Sequence, residues 1–149
     1  MSTERWHYRV DLARQTGAPF GAGAFKPGNV LLIGEQASDP AAAPEQQPFC
    51  SSKGCSGWLN NKLEEEAIPE EKLFWVNALN NDHTPVNLTK LVVDLKPSVV
   101  IALGGIAQKQ CKVQGVSFQP FYHPQYWKRF KSKHRYALLD KLRELTCQT

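Results

Sequence analysis

The sequence predicts one α/β domain of three layers, with helices on both faces of a central four-stranded, mostly parallel sheet. Two observations carry that expectation. Three short apolar runs are continuous rather than alternating, which is how a strand buried on both faces reads. Segments with helical spacing stand between those runs, so each connection is long enough for a right-handed parallel crossover.

The elements follow in order. Residues 1–28 hold Gly17, Pro19, Gly21, Gly23, Pro27 and Gly28 and no sustained period. They are expected to form an irregular N-terminal arm, with Trp6, Tyr8 and Val10 laid against a domain spanning 29–149. Asn29-Val-Leu-Leu-Ile-Gly34 is the first strand. Residues 36–48 form a loop rich in Pro, Ala and polar residues. Ser56 is a plausible N-cap for a helix carrying Trp58, Leu59, Leu63 and Ala67 at helical spacing. Leu73-Phe-Trp-Val-Asn77 is the second strand and opens into the polar loop Asn80–Pro85. Asn87 can cap a helix with the stripe Leu88, Leu91, Val92 and Leu95, which Pro97 stops. Ser98–Leu103 is the third strand, ended by Gly104-Gly105, with a short helix over Ile106–Cys111 after it. Val116–Phe121 supplies the fourth strand. Pro124 starts a long basic helix whose inward positions are Trp127, Phe130, Tyr136, Leu139 and Leu142.

Composition narrows the class. At 149 residues, with 42% hydrophobic and 21% charged residues, the chain suits a single globular domain. No apolar run approaches the ~20 residues that cross a bilayer, and the start Met1–Arg5 lacks a signal-peptide core. The expectation is a cytoplasmic (intracellular) protein, most simply a monomer, with no membrane partner. Net charge is only +4, but it is unevenly spread. Glu35–Glu71 holds eight acidic and two basic residues; Tyr122 to the end holds seven basic and two acidic ones. A polyanion is attracted to the second region and repelled by the first, over a Debye length of roughly 8–10 Å. Cys50, Cys55, Cys111 and Cys147 form no C-x₂-C pair, so free thiols are expected, with no metal and no cofactor.

Ligands of an open parallel sheet bind outside the carboxyl ends of its strands. The residues leaving those ends are Gly34-Glu35-Gln36 through Asp39, Asn77 with its loop, Gly104-Gly105, and His123. Phe49 lies just beyond the first loop. Taken singly, each has a bland explanation: a turn glycine, a capping Asn, a structural His before Pro, a core Phe. Together they suit a planar ligand with amide-like edges. Asn reads a donor–acceptor pair, Phe stacks, and His stabilises a developing oxyanion.

The ordered set resembles a known family. Leu-Leu-Ile-Gly34-Glu35, then Pro48-Phe49, then Trp75-Val76-Asn77, are followed by Lys96-Pro97 leading through the third strand to Leu103-Gly104-Gly-Ile-Ala107, and finally Tyr122-His123-Pro124-Gln125. In order and spacing these are similar to the motifs of the iron–sulfur-type uracil-DNA glycosylases and their relatives. The resemblance runs from about Asn29 to Phe130. It implies the glycosylase fold and a glycosylase that flips uracil or a related modified pyrimidine out of DNA and excises it, as in base-excision DNA repair. Under it, Gly34, Gln36, Phe49 and Asn77 bind the base, with Phe49 stacking and Asn77 reading its polar edge. His123 donates to the base oxygen that gains charge, while Glu35 and Asp39 hold the attacking water. Lys53, Gln125, Tyr126, Trp127, Lys128, Arg129 and Lys131 contact DNA, with Lys133 and Arg135 as further phosphate ligands and Tyr126 or Trp127 as the wedge that fills the gap left by the base.

The chain also departs from that family. Asn80-Asn81-Asp82 stands where a cluster-binding Lys-Cys-Arg is expected, so no iron–sulfur cluster is implied. Gln36 stands where the most studied uracil-DNA glycosylases carry an aspartate, which leaves Asp39 or Glu35 to orient water. Two other functions fit the same fold: a non-catalytic base- or DNA-binding module, and an enzyme acting on a free nucleotide.

Overall fold

Val30–Ile33 and Leu73–Val76 are buried along their whole length, as a strand covered on both faces must be. A computed structural model, which describes residues 5–35, 48–52 and 54–147, shows how that burial is achieved. The chain runs α1 (Arg5–Gln15), β1 (Ala22–Gly23), β2 (Val30–Gly34), α2 (Gly54–Glu65), a short 3-10 helix (Glu70–Lys72) and β3 (Leu73–Asn77). It continues with α3 (Leu88–Leu95), β4 (Val99–Leu103), α4 (Gly105–Gln114), β5 (Gln119–Phe121), α5 (Pro124–Phe130) and α6 (Ala137–Thr146).

The sheet has five strands in the order β1-β3-β2-β4-β5. β2, β3, β4 and β5 are mutually parallel, with Val30 opposite both Leu73 and Val99, and Leu103 opposite Phe121. The pleat divides the core. Leu31, Ile33, Phe74, Val76 and Ala102 face α3 and α4, which add Leu88, Leu91, Leu95, Ala107 and Cys111. Val30, Leu32, Trp75, Ile101 and Leu103 face α2 and α6, which add Leu59, Leu63, Leu138, Leu139 and Leu142. The result is the expected α/β/α sandwich. Truncating one of the fully buried leucines to alanine is expected to cost about 2–5 kcal/mol. Among the described residues no helix is long and apolar enough to cross a membrane.

The fifth strand is a correction to the expected four. β1 pairs antiparallel with the edge of β3, Ala22 opposite Trp75 and Gly23 opposite Phe74. Two residues give no hydrophobic period to read. The glycines on either side of Ala22 are dictated by contact: a Cβ on Gly21 would sit 2.6 Å from the Trp75 carbonyl oxygen, and one on Gly23 2.5 Å from that of Leu73. Both glycines also have positive φ, where side chains are strained.

The N-terminal segment is not irregular throughout, because α1 occupies Arg5–Gln15. Helical rather than alternating spacing decides which side chains meet the body. Arg9 and Leu12 are buried, while Tyr8 is exposed. The period was hidden because two of its inward positions, Arg5 and Arg9, are charged.

The long basic helix is two helices. Lys131 leaves the helical region at φ −131°, and the amide of His134 closes a turn on the Lys131 carbonyl at 2.8 Å. Lys131–Arg135 offers no apolar side chain to bury, so nothing holds that stretch helical against the body. Phe130, expected inside, is 64% exposed; Tyr136, Leu139 and Leu142 are inside as expected. Smaller differences concern ends. α2 starts at Gly54, ahead of Ser56, and α4 extends to Gln114. β5 pairs only from Gln119. The Asn87 cap is present, its side chain accepting the Lys90 amide at 3.0 Å. Lys96 ends α3 in the left-handed region, just before Pro97.

Candidate base-binding site

From β2 the chain crosses through α2 to β3 on one side, and α3 then carries it over β2 to β4 on the other. β2 and β4 are therefore neighbours whose continuations diverge, and their carboxyl ends open a crevice at the switch point of the sheet. Glu35 and Gly104 leave those two ends. Asn77 ends β3, and His123 follows β5.

Gly34 is the floor. It pairs in register with Asn77, so the two positions point to the same face. A Cβ on Gly34 would lie 2.8 Å from Asn77 Oδ1 and 3.1 Å from the Phe49 ring. Only glycine lets the Asn77 amide and the Phe49 ring converge there. Asn77 is 6% exposed, so its amide is presented from within the protein. The ladder continues past the strand ends, with Ala78 N–H on the Gly34 carbonyl at 2.9 Å and Leu79 N–H on that of Glu35 at 3.0 Å. Those bonds hold the backbone of Glu35 beside the Asn77 exit.

Phe49 sits in the left-handed region at φ 57°, a conformation that costs a non-glycine residue on the order of 1–3 kcal/mol. Its surroundings impose it. The Phe49 carbonyl accepts from Arg9 Nη1 at 3.0 Å and from Asn60 Nδ2 at 2.9 Å. Its ring packs edge-on against Trp75, centroids 5.6 Å apart. Arg9 is fully buried and lies 4.4 Å over the Trp75 ring. It makes a two-pronged pair with Glu70 at 3.0 and 2.7 Å and donates to Asn60 Oδ1 at 2.7 Å. Burial alone would raise the Glu70 carboxyl, but the guanidiniums of Arg9 and Arg5 outweigh it and hold it below the ordinary carboxylate range.

His123 caps α5, and its Nδ1 accepts the amide of Gln125 at 3.0 Å. That bond places the proton of the neutral ring on Nε2. Burial pushes the imidazole below its ordinary value, while the Glu35 carboxylate opposes that shift. The ring is therefore a neutral donor at pH 7 rather than a cation. Its centroid is 5.6 Å from that of Phe49. The preceding residue is fixed too, because the buried Tyr136 hydroxyl donates to the Tyr122 carbonyl.

Glu35 and His123 meet at Gly104. A Cβ there would lie 2.9 Å from Glu35 Oε2 and 3.0 Å from His123 Cβ, and Gly104 has φ 93°. Its amide donates to the Phe121 carbonyl at 2.9 Å, which ties β4 to β5 at the crevice. A cleft of about 370 Å³ opens from this point, lined by Glu35, Gly104, His123, Gln125, Tyr126 and Arg129 among others. Its rim carries a run of exposed aromatic rings. Tyr122 and Tyr126 stack at 4.7 Å, and Phe130 lies 5.1 Å beyond. A larger open groove of about 520 Å³ lies at the opposite end of the sheet, but no titratable side chain lines it.

The structure thus brings Gly34, Glu35, Phe49, Asn77 and His123 to one end of the sheet, with Gln125, Tyr126, Lys128 and Arg129 on α5 beside them. Lys128, Arg129 and Lys133 are exposed and Lys131 half-buried. Two expected DNA contacts are engaged elsewhere. Trp127 turns inward, stacked on Tyr136 at 5.2 Å with its indole N–H on the His134 carbonyl at 3.0 Å. Arg135 is held by Glu66 at 2.9 and 3.0 Å and by Asp140 at 2.8 Å. Gln36, Asp39 and Lys53 lie outside the described residues. Sequence reading missed Arg9, Asn60 and Glu70, all buried polar groups; the helical spacing of Arg5 and Arg9 was the one signal for the first, and Tyr136 was expected inside without its bond to Tyr122.

The cysteines do not suit an iron–sulfur cluster. Cys111 is buried in the apolar layer with α3, Cys50 and Cys55 flank the start of α2, and Cys147 follows α6. Among the described residues no three His, Cys, Asp or Glu side chains stand close enough to hold a metal ion.

No curated protein matches the chain. The family model described as the uracil DNA glycosylase superfamily matches residues 20–145.

Proposed function

The chain belongs to the uracil-DNA glycosylase superfamily, and from that premise we propose that it flips uracil, or a related modified pyrimidine, out of DNA and hydrolyses its N-glycosidic bond. One observation carries the reading: the Phe49 ring and the Asn77 amide converge on the bare Cα of Gly34, with the His123 ring 5.6 Å from Phe49. A flat ring with a polar edge suits that space. Members of the superfamily act on DNA, and the exposed Arg129 of α5 lines the cleft.

In this reading Phe49 stacks on the flipped base and Asn77 hydrogen-bonds its edge, while Gly34 lets the base approach the sheet end. As the bond from C1′ to the base breaks, its electron pair moves onto the base, whose carbonyl oxygen gains charge. His123 Nε2–H donates to that oxygen. One such donor in a dry pocket is worth about 3–4 kcal/mol of barrier. Being neutral, His123 keeps its proton, and the base leaves as an anion that solvent protonates. Water adds to C1′ of the oxocarbenium-like sugar, and its proton is lost to a carboxylate or to solvent. Glu35, beside His123 at Gly104, orients that water, with Asp39 as the second carboxylate assigned to it and Gln36 assigned to the base. Tyr126 at the rim, rather than the inward-turned Trp127, presses into the space left by the base. Lys128, Arg129 and Lys131, with Gln125 and Lys53, contact the backbone.

A panel of oligonucleotides carrying uracil, hydroxymethyluracil or thymine tests the assignment. Release of the first or second, but not of thymine, is the expected result. Binding to all three with no release is the result a non-catalytic base-binding module gives.

A further inference from the structure

The base pocket is completed by an element outside the family match. The family match covers residues 20–145, yet Arg9 belongs to α1, at Arg5–Gln15. Helix α1 has a second anchor that does not touch Phe49: Arg5 donates to the Ile68 carbonyl and, at 2.7 Å, to Glu70 Oε2, which it shares with Arg9. Holding the helix in place therefore does not require Arg9 to reach Phe49. Arg9 nevertheless spends its third nitrogen on the Phe49 carbonyl. Asn60 makes the same choice, accepting from Arg9 through Oδ1 and donating through Nδ2 to Phe49 and, at 3.3 Å, to Ser51.

Two donors on one carbonyl fix the peptide that follows Phe49. With that peptide fixed, φ at Phe49 stays near 57°, and the ring stays against Gly34 and Trp75. Without the donors the peptide is free to rotate, the backbone relaxes to negative φ, and the ring swings away from the pocket floor. We propose that Arg9 and Asn60 are positioning residues for the Phe49 ring, so that α1 sets the stacking geometry of the base pocket. Phe49 touches the base; Arg9 and Asn60 act through it. This inference rests on the glycosylase reading only for what the ring stacks on.

The test has two arms. In the first, 4-fluorophenylalanine is placed at position 49 and its ¹⁹F resonance is recorded in the full-length protein, well below each variant's unfolding midpoint. Asn60→Ala and Arg9→Lys are expected to move or broaden the resonance. Arg5→Ala, which loosens the same helix without touching the Phe49 carbonyl, is expected to leave it in place. An unchanged resonance in Asn60→Ala and Arg9→Lys overturns the proposal. So does the same displacement in all three variants, because it reports general loosening.

The second arm compares the affinity of an oligonucleotide with uracil against one with an abasic residue at the same place. Loss of stacking on one base is expected to shrink that preference by about five- to a hundredfold in Asn60→Ala and Arg9→Lys, and to leave it unchanged in Arg5→Ala. Should the wild-type protein show no preference for uracil while the first arm succeeds, the glycosylase reading fails and the positioning role of Arg9 stands.

Discussion

Arg9 Nη1 donates to the main-chain carbonyl of Phe49 at 3.0 Å, which joins a fully buried charge on the first helix to the ring that packs over Gly34. The same guanidinium is paired to Glu70, itself 3% exposed. Breaking a buried pair from one side strands the other charge. Arg9→Met is therefore expected to cost about 3–5 kcal/mol of stability, read from urea denaturation.

Glu70 makes that stability depend on pH. Its folded carboxyl is held below the ordinary value of 4.5. Its contribution is thus complete above about pH 4.5 and is lost as pH falls through the folded value. Urea midpoints measured down through that window should fall in the wild type. The decline should be shallower in Glu70→Gln, which has no proton to take up.

His123 predicts the acid limb of activity. Burial pushes its pKa below the ordinary 6.5, and the Glu35 carboxylate raises it in part. The ring must be neutral to leave the base as an anion, so kcat against pH should be flat near neutrality and fall only below pH 6.5. Glu35→Gln removes the opposing charge, so its remaining activity should fall off at lower pH still. An acid limb that stays in place in Glu35→Gln contradicts the coupling.

Gly34→Ala is the sharpest test of the pocket floor. Its new methyl would need the space of Asn77 Oδ1, 2.8 Å away, and of the Phe49 ring, 3.1 Å away. Displacements approaching 1 Å at a reacting centre cost on the order of a hundredfold. A drop of that order in kcat/KM is expected, with an overpacking cost of about 1–3 kcal/mol in stability. Activity within twofold of wild type would place the base elsewhere.

Phosphate contact by α5 is read from salt. Lys128→Ala and Arg129→Ala should each lower the slope of log K against log salt by roughly 0.7–0.9. Arg135→Ala should leave the slope unchanged, because Glu66 and Asp140 hold that guanidinium. Fluorescence anisotropy of a labelled oligonucleotide over a salt series measures both.

How much of this was legible in the sequence follows from what kind of group does the work. The parallel strands were readable because burial on both faces leaves an unbroken apolar run, as in Val30–Ile33 and Leu73–Val76. The position of Gly34, Asn77 and Gly104 at the carboxyl ends of the parallel strands was readable because each directly follows or closes one of those apolar runs. Helix α1 and its clamp were not, because Arg9 is buried through pairing with Glu70 and Asn60, which lie 61 and 51 residues away in the chain. No local pattern carries that information. β1 was invisible for a different reason: two small residues pair through backbone alone. The break between α5 and α6 was hidden by helix-tolerant residues at Lys131–Arg135, where the absence of anything to bury outweighs propensity.

Excision of uracil, and its dependence on His123, is the measurement that bears most directly on the account. A uracil-containing oligonucleotide, single-stranded and duplex, is incubated with excess protein, and alkali-labile abasic sites are followed in time. Abasic sites are expected in the wild type, with the single-turnover rate reduced about a hundredfold or more in His123→Ala. No abasic sites with any modified pyrimidine, or cleavage that survives both His123→Ala and Asn77→Ala, would contradict it.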